Sequence, residues 1–428
     1  MSSHRPPPPR PEPAPGVAAT AGVAASPEAA PRRTLSPRLA YALVAAVIGL
    51  ALFASSTPSP LYATYRELWG FSPVVLTLIY ATYAFGVLLA LLLAGRVSDE
   101  WGRRPVLLVA LGALLVTSVA FMLASSVAWL FVARGLQGIA TGLALGAASA
   151  AMLDLHPRRD PSAVGLANGV LSAGGIGLGM LASATLVELA PAPRVLPYVL
   201  LFLLFAIAFA GTLALPEPVE ERTRPRLTPQ RPSVPVPVRR AFLLAALAVI
   251  SSWSIGGLFF SLGPQLSAGL FDSTDHLVTA LGVFLLAGAG SLAQLAFGRA
   301  RPWVGAVTGS IALATGMLLI VGAVALDSPA LFILGSLVGG AGFGVAFLGA
   351  LRALSIVIPP DHRAAVMSAF YVVAYLSISV PAILAGLLIT PLGLDTTFEV
   401  FGAVVAGLAL VVAGEAWRTR PRAIPAVA

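Results

Sequence analysis

Twelve long apolar segments constrain this chain more than any other feature. A helix needs roughly 20 apolar residues to cross about 30 Å of hydrocarbon, and each segment meets that length. Only 10% of the 428 residues are charged, whereas soluble domains carry about 25%. The sequence therefore predicts an all-α polytopic membrane protein. Its spans lie near residues 39–57, 74–95, 105–124, 128–152, 163–187, 195–215, 241–263, 277–298, 303–325, 329–351, 364–389 and 396–414.

The arginines predict the orientation of these spans. All 26 basic residues are arginine, and positive residues collect on the cytoplasmic side of membrane proteins. With a cytoplasmic N-terminus, 23 arginines lie in the cytoplasmic tails and connections, Arg66 and Arg194 lie outside, and Arg134 lies within a span. We therefore expect a multi-pass protein of the cell (inner) membrane with both termini in the cytoplasm.

A central segment divides the chain into two sets of six spans. Residues 216–240 hold seven prolines, six arginines and three glutamates, a composition typical of a stiff, solvated linker. The predicted organisation is a disordered Pro/Ala-rich tail at 1–38, a first bundle at 39–215, the linker at 216–240, a second bundle at 241–416 and a tail at 417–428.

A faint repeat at an offset of 202 residues relates the two sets. Gly138 matches Gly340, and Gly142 matches Gly344. Because the repeat coincides with the division into six and six, we interpret it as an internal duplication. Two parallel six-helix halves around a central site are a common plan of secondary transporters.

The connection between the second and third segments concentrates charge among glycines. Its sequence, GRVSDEWGRRP at 95–105, holds five charged residues. Glycines permit unusual backbone dihedrals, Asp99 can attract the positive end of a helix, and Arg103 and Arg104 can pair with carboxylates. A generic basic connection would explain the arginines but not this spacing.

This connection resembles the signature G-x-x-x-D-[RK]-x-G-R-[RK] of the major facilitator superfamily. The matching residues are Gly95, Asp99, Gly102, Arg103 and Arg104. Glu100 departs from the signature, because the family usually has a basic residue there. The resemblance implies two pseudo-symmetric six-helix bundles and a connection that latches them together on the cytoplasmic side.

The fourth segment carries a charge inside the membrane. Arg134 begins the stretch RGLQGIATG, and Gln137 lies one turn further on the same face. A charge at the centre of the bilayer costs about 2.5–3.5 kcal/mol on insertion scales, so such residues usually serve a function. A purely structural arginine bonded to backbone carbonyls is the alternative.

Arg134, Gln137 and Gly138 resemble the R-x-x-Q-G motif of drug–proton antiporters. In that branch the arginine is thought to influence the protonation of a nearby carboxylate. No acidic residue lies in the middle of a predicted span, so Glu67, Glu188 and Glu399, near the outer ends, are the candidate proton carriers. Proton coupling therefore follows from the resemblance, without an identified carrier.

The fifth segment is dense in glycine. Gly169, Gly174, Gly175 and Gly179 lie in a stretch that resembles the fifth-helix motif of antiporters, although the proline of that motif is missing. Small residues let helices approach closely, and we expect this segment to pack against the eighth. Generic small-residue packing explains the pattern equally well.

These features predict a secondary active transporter that works by alternating access and exports a small apolar or drug-like compound, with proton coupling as an open question. Uptake or facilitated diffusion of a small metabolite is the alternative. A membrane-embedded enzyme would need clustered His, Asp, Glu or Cys, but the chain has no cysteine, and its four histidines fall in the tail or the connections. We expect a monomer in a lipid bilayer, with no cofactor, metal or nucleic acid.

Overall fold

The computed structural model describes residues 34–94, 97–219 and 231–420. Within these ranges the chain is helical and has twelve helices that are long and apolar enough to cross a membrane. They are α1 (Pro37–Ser56), α3 (Pro73–Ala94), α5 (Arg103–Met122), α6 (Val127–Leu155), α7 (Pro161–Leu189), α8 (Leu196–Leu213), α9 (Arg239–Leu270), α10 (His276–Phe297), α11 (Pro302–Ala325), α12 (Pro329–Val357), α13 (Arg363–Leu392) and α14 (Leu394–Arg418).

Two short helices lie between spans. They are α2 (Tyr62–Trp69) and α4 (Val97–Trp101). Successive spans reverse direction, so α2 and α4 lie at opposite ends of the bundle. We call the end that contains α4 the basic end and the end that contains α2 the far end. Among the described arginines, only Arg66 and Arg194 lie at the far end, and Arg134 lies within a span.

The predicted spans agree with the observed helices to within a few residues at most ends, because length and hydropathy are local properties of the chain. The largest differences are extra turns. The helices α9 and α12 extend six or seven residues beyond the predicted ends at 263 and 351. The helix α1 ends at Ser56, where TPSPL forms a turn that leads into α2.

The repeated glycines make equivalent helix crossings in the two halves of the chain, which we define as residues 37–213 and 239–418. A Cβ atom on Gly138 would overlap the carbonyl oxygen of Tyr83, where α6 crosses α3. A Cβ atom on Gly340 would overlap the carbonyl oxygen of Leu286, where α12 crosses α10. Each half therefore brings its fourth span against its second through a glycine.

The two halves meet along two pairs of spans. The helix α7 packs against α10, and α3 packs against α13. Large apolar side chains on the opposite faces of the spans remain exposed, for example Val116, Ile207 and Leu292. Because water-soluble surfaces seldom present so many such residues, these faces are suited to contact lipid.

Several predicted segments fall outside the described residues. They are residues 1–33 of the predicted tail, 220–230 of the predicted linker, and 421–428 of the second tail. The division into bundles and linker remains a prediction at these positions.

Candidate functional site

Arg134 is the centre of a buried polar network in the first half. Its side chain is fully buried, eight residues into α6 from the far end. At 1.5 Å per residue this places it about 10 Å along the helix, nearer the far end than the middle. Its Nε donates to the hydroxyl of Tyr62 at 2.8 Å, and its Nη1 donates to the carbonyl oxygen of Ser55 at 2.8 Å.

Gln137 extends this network by one turn. Its Oε1 accepts a hydrogen bond from Arg134 Nη1 at 2.8 Å, and its Nε2 donates to the carbonyl oxygen of Ala54 at 3.0 Å. The guanidinium carbon of Arg134 also lies 5.7 Å from the ring centre of Tyr62 and 5.1 Å from that of Tyr83, within the range of a cation–π interaction. The predicted pairing of Arg134 with Gln137 on one helix face is present, and α1, α2 and α3 supply the other contacts.

The positive charge of Arg134 has no acidic partner in the described part of the chain. The hydrogen-bond acceptors of the side chain are a hydroxyl, an amide oxygen and a backbone carbonyl, and its Nη2 is buried without a hydrogen-bond partner. A buried charge normally pairs with an opposite charge or a full set of acceptors. One donor of Arg134 is therefore available to another acceptor.

The neighbouring phenols stay neutral. Burial raises the pKa of Tyr62, although Arg134 acts in the opposite direction. Burial also raises the pKa of Tyr65 to about 12, and its hydroxyl donates to that of Tyr198 at 3.3 Å. Neither phenol therefore supplies a negative charge to Arg134 near neutral pH.

The structure does not bring the three candidate proton carriers to Arg134. Glu67 is exposed on α2 and Glu399 is half-buried on α14. Glu188 contacts His276 instead, with its Oε2 2.8 Å from Nδ1. None of these carboxylates hydrogen-bonds to Arg134, because its donors are directed towards α1, α2 and its own helix.

At the basic end, Glu217 caps the start of α5. Its two carboxylate oxygens accept from the backbone N–H groups of Arg103 at 2.9 Å and Arg104 at 3.0 Å. Gly102 precedes this cap with φ +108°, and a Cβ atom there would lie 2.6 Å from Glu217 Oε2. The position therefore requires glycine for its backbone conformation and for its space.

The side chains of Arg103 and Arg104 bond within the first half. Arg103 Nε donates to Asp154 at the end of α6 at 3.0 Å, and its Nη1 contacts both Ser98 and Asp99. Arg104 donates to the carbonyl oxygen of Leu213 at the end of α8. These contacts tie α4 and α5 to α6 and α8. Gly95, the first residue of the predicted latch, lies outside the described residues, and the helix α4 was not predicted.

The glycines of α7 face two different helices, of which the eighth span, α10, is one. Gly169 lies against the side chain of Gln294, and Gly174 lies against that of Ser291, both on α10. In contrast, Gly175 and Gly179 lie against the backbone of α1. Because these glycines lie on two faces, α7 packs closely both within its own half and across the boundary between halves.

Hydrogen bonds join the two halves at both ends. At the far end, the hydroxyl of Ser59 donates to the carbonyl oxygen of Phe260 at 3.4 Å. Glu188 of α7 and His276 of α10 also meet at this end. Towards the basic end, Ser291 donates to the carbonyl oxygen of Val170 at 2.9 Å, and Gln294 donates to that of Gly169 at 3.4 Å. The bonds of Ser59 and Gln294, at 3.4 Å, are longer than a typical hydrogen bond.

These features define a class of protein: a multi-pass membrane protein with two related helical halves, the first of which contains a buried polar site. A family model confirms the class and narrows it. The model of the Major Facilitator Superfamily matches residues 44–380, so the chain belongs to this family of transporters.

Individual relatives give narrower information. The multidrug resistance protein MdtL of Escherichia coli O157:H7 is 33% identical over 100 residues, which is 23% of this chain and 26% of that protein. The match thus spans about a quarter of this curated relative.

Two solved structures share the fold. The human organic anion transporter MFSD10 (TETRAN) has a TM-score of 0.65 at 18% identity, with 90% of this chain and 100% of that chain covered. The xylose transporter XylE from E. coli, in a partially occluded inward-open conformation, has a TM-score of 0.70 at 14% identity. The match covers 90% of this chain and 98% of that chain.

Proposed function

We propose that this protein exports a small apolar or drug-like compound by alternating access between its two halves. One observation supports the mechanism most directly: a few hydrogen bonds, through Ser59 and Glu188 at the far end and Ser291 and Gln294 towards the basic end, join the halves at both ends. Breaking one set while keeping the other would open a path to one side at a time. Both halves belong to one chain, so a monomer suffices.

The basic end is the cytoplasmic end in this proposal. Its excess of arginine follows the positive-inside rule, which counts arginines in short connections near the spans. Both termini then lie in the cytoplasm of a cell that carries the protein in its cell (inner) membrane.

The proposed direction of transport is supported by the similarity to the multidrug resistance protein and by the R-x-x-Q-G residues of α6. The charges of the site suggest which compounds fit. Arg134 has a buried, unpartnered Nη2, and acidic side chains of the described spans lie near helix ends. A buried cation disfavours another cation, so the expected substrates are neutral or anionic.

One observation favours the alternative of uptake or facilitated diffusion. The described carboxylates do not pair with Arg134, so the site shows no proton carrier beside it. A carrier driven only by its substrate gradient would need none.

Transport into everted membrane vesicles tests the proposal. Vesicles that contain the protein are energised to an acid interior and supplied with neutral, anionic and cationic aromatic compounds. We expect accumulation of neutral or anionic compounds and dissipation of the pH gradient by the same compounds. Accumulation without any effect on the gradient would support uncoupled transport. Failure of every compound to move would contradict the proposal.

We also propose that the contacts of Arg103 at the cytoplasmic end, which hold α4 and α5 against α6 within the first half, are needed for transport. Asp154 is the more buried of its two carboxylate partners, with 27% of its side chain exposed against 58% for Asp99. A buried ion pair is screened less than an exposed one. Asp154→Asn should therefore reduce the initial rate of transport more than Asp99→Asn, with both variants inserted at wild-type levels.

Glu415→Gln provides the control for this comparison. Glu415 forms a similar pair with Arg418, but that arginine is 77% exposed and lies at the end of α14. Its variant should transport normally. Normal transport by Asp154→Asn would show that the contact between Arg103 and Asp154 is not needed for transport.

A further inference from the structure

A carboxylate and a histidine join the two halves at the far end. Glu188 is the penultimate residue of α7, and His276 is the first residue of α10. Glu188 Oε2 accepts from the backbone N–H of His276 at 3.0 Å and lies 2.8 Å from its Nδ1. Among the described residues, this is the salt-bridge contact that crosses between the halves.

The two bonds of Glu188 respond differently to pH. A carboxylate can only accept, so Nδ1 carries a hydrogen both in the neutral tautomer that fits this contact and in the charged imidazolium. The backbone bond does not titrate. Protonation of the ring therefore keeps the geometry but converts a neutral hydrogen bond into a charge-assisted one, which is stronger.

Water and protons can reach this pair from the far side. The side chains of His276 and Glu188 are 25% and 32% exposed. The charged groups at the far ends of the spans packed against α7 and α10 are Arg194 before α8, Asp272 and Asp275 after α9, and Asp327 before α12. Asp275 caps α10, because its Oδ1 accepts a hydrogen bond from the backbone N–H of Leu277 at 2.7 Å. Carboxylates and arginines ordinarily keep their charge between pH 6 and 8, whereas histidine is the side-chain type whose charge ordinarily changes in this range.

We propose that the contact between Glu188 and His276 is a pH switch that favours closure of the far end when the solution on that side is acidic. Histidine ordinarily gains its proton near pH 6.5. Acid then strengthens a bond that must break before the far end opens, so it shifts the population towards the state that is open at the basic end. This inference rests on the alternating access proposed above, but it does not depend on which compound is carried.

Distances between spin labels test the switch without any substrate. The chain has no native cysteine, so labels can be placed in pairs on the full chain in lipid nanodiscs. Leu123→Cys with Leu326→Cys reports the separation of the halves at the far end, and Leu39→Cys with Ile356→Cys reports it at the basic end. All four residues are at least 60% exposed and lie away from the contacts of Glu188.

When the pH is lowered from 8 to 6, the ratio of molecules closed at the far end to molecules open there should rise about threefold. This is the size expected for a partly exposed ion pair. The basic-end distances should change in the opposite direction. His276→Gln and Glu188→Gln should abolish the response to pH. His362→Gln, the same substitution at an exposed histidine of the basic end, should retain it.

Two results would overturn the switch. One is a wild-type response that persists in His276→Gln, which would assign the pH dependence to another group. The other is a wild-type distribution that does not change with pH. If the distances then show two populations at each pH, alternating access remains supported and only the switch is excluded. If they show a single population at both ends of the protein, alternating access is contradicted as well.

Discussion

Replacement of Arg134 by alanine should abolish transport and also lower the stability of the protein. The substitution leaves the carbonyl oxygen of Ser55, the hydroxyl of Tyr62 and the amide oxygen of Gln137 without their donor in a buried site. Loss of hydrogen bonds to a buried charged group should reduce the free energy of unfolding by about 3 kcal/mol. Thermal unfolding of the purified protein and transport in vesicles measure the two effects.

Two further variants separate the charge of Arg134 from its geometry. Arg134→Lys retains the charge, but an ammonium cannot reproduce the planar fork that reaches Tyr62 and Ser55 together. The Arg134→Lys variant should fold, but its transport should be weaker than that of the wild type. Leu136→Ala, on the exposed face of the same helix, should leave both properties unchanged. Wild-type transport by a folded Arg134→Ala variant would show that the network is structural only.

Replacement of Gly138 by alanine should separate α6 from α3. The added methyl group would overlap the carbonyl oxygen of Tyr83, and a backbone atom cannot rotate away as a side chain can. Overpacking of this kind costs typically about 1–3 kcal/mol. Because Tyr83 also faces Arg134, the variant should lose transport as well as thermal stability.

Gly146 provides a matched control on the same helix. A Cβ atom there meets nothing within 4 Å, so Gly146→Ala should be neutral or stabilise the helix by up to about 1 kcal/mol. Gly340→Ala, at the equivalent crossing in the second half, should destabilise as Gly138→Ala does. Equal melting temperatures for Gly138→Ala and Gly146→Ala would contradict the tight crossing.

The contacts of the candidate site were only partly predictable. Gln137 could be placed beside Arg134 because residues three apart share a helix face. Tyr62 and Ser55 could not, since they lie 72 and 79 positions away along the chain. The role of Glu217 was also missed. It stands at the start of a Pro/Arg-rich stretch that indicates only a linker, yet it caps α5 from a distance of 114 residues.

The spans of this protein, their number and the repeat between its halves follow from local sequence, because hydropathy and segment length decide which parts of a chain remain in lipid. The partners of Arg134 and the contact between Glu188 and His276 depend on how each helix is rotated and how far it is shifted along its neighbours. Tertiary packing sets that rotation and shift, here through glycines such as Gly138 and Gly175, where the helix backbones meet. Only the three-dimensional structure could therefore show that Arg134 has no acidic partner among the described residues and that the halves are joined at the far end through Glu188 and His276.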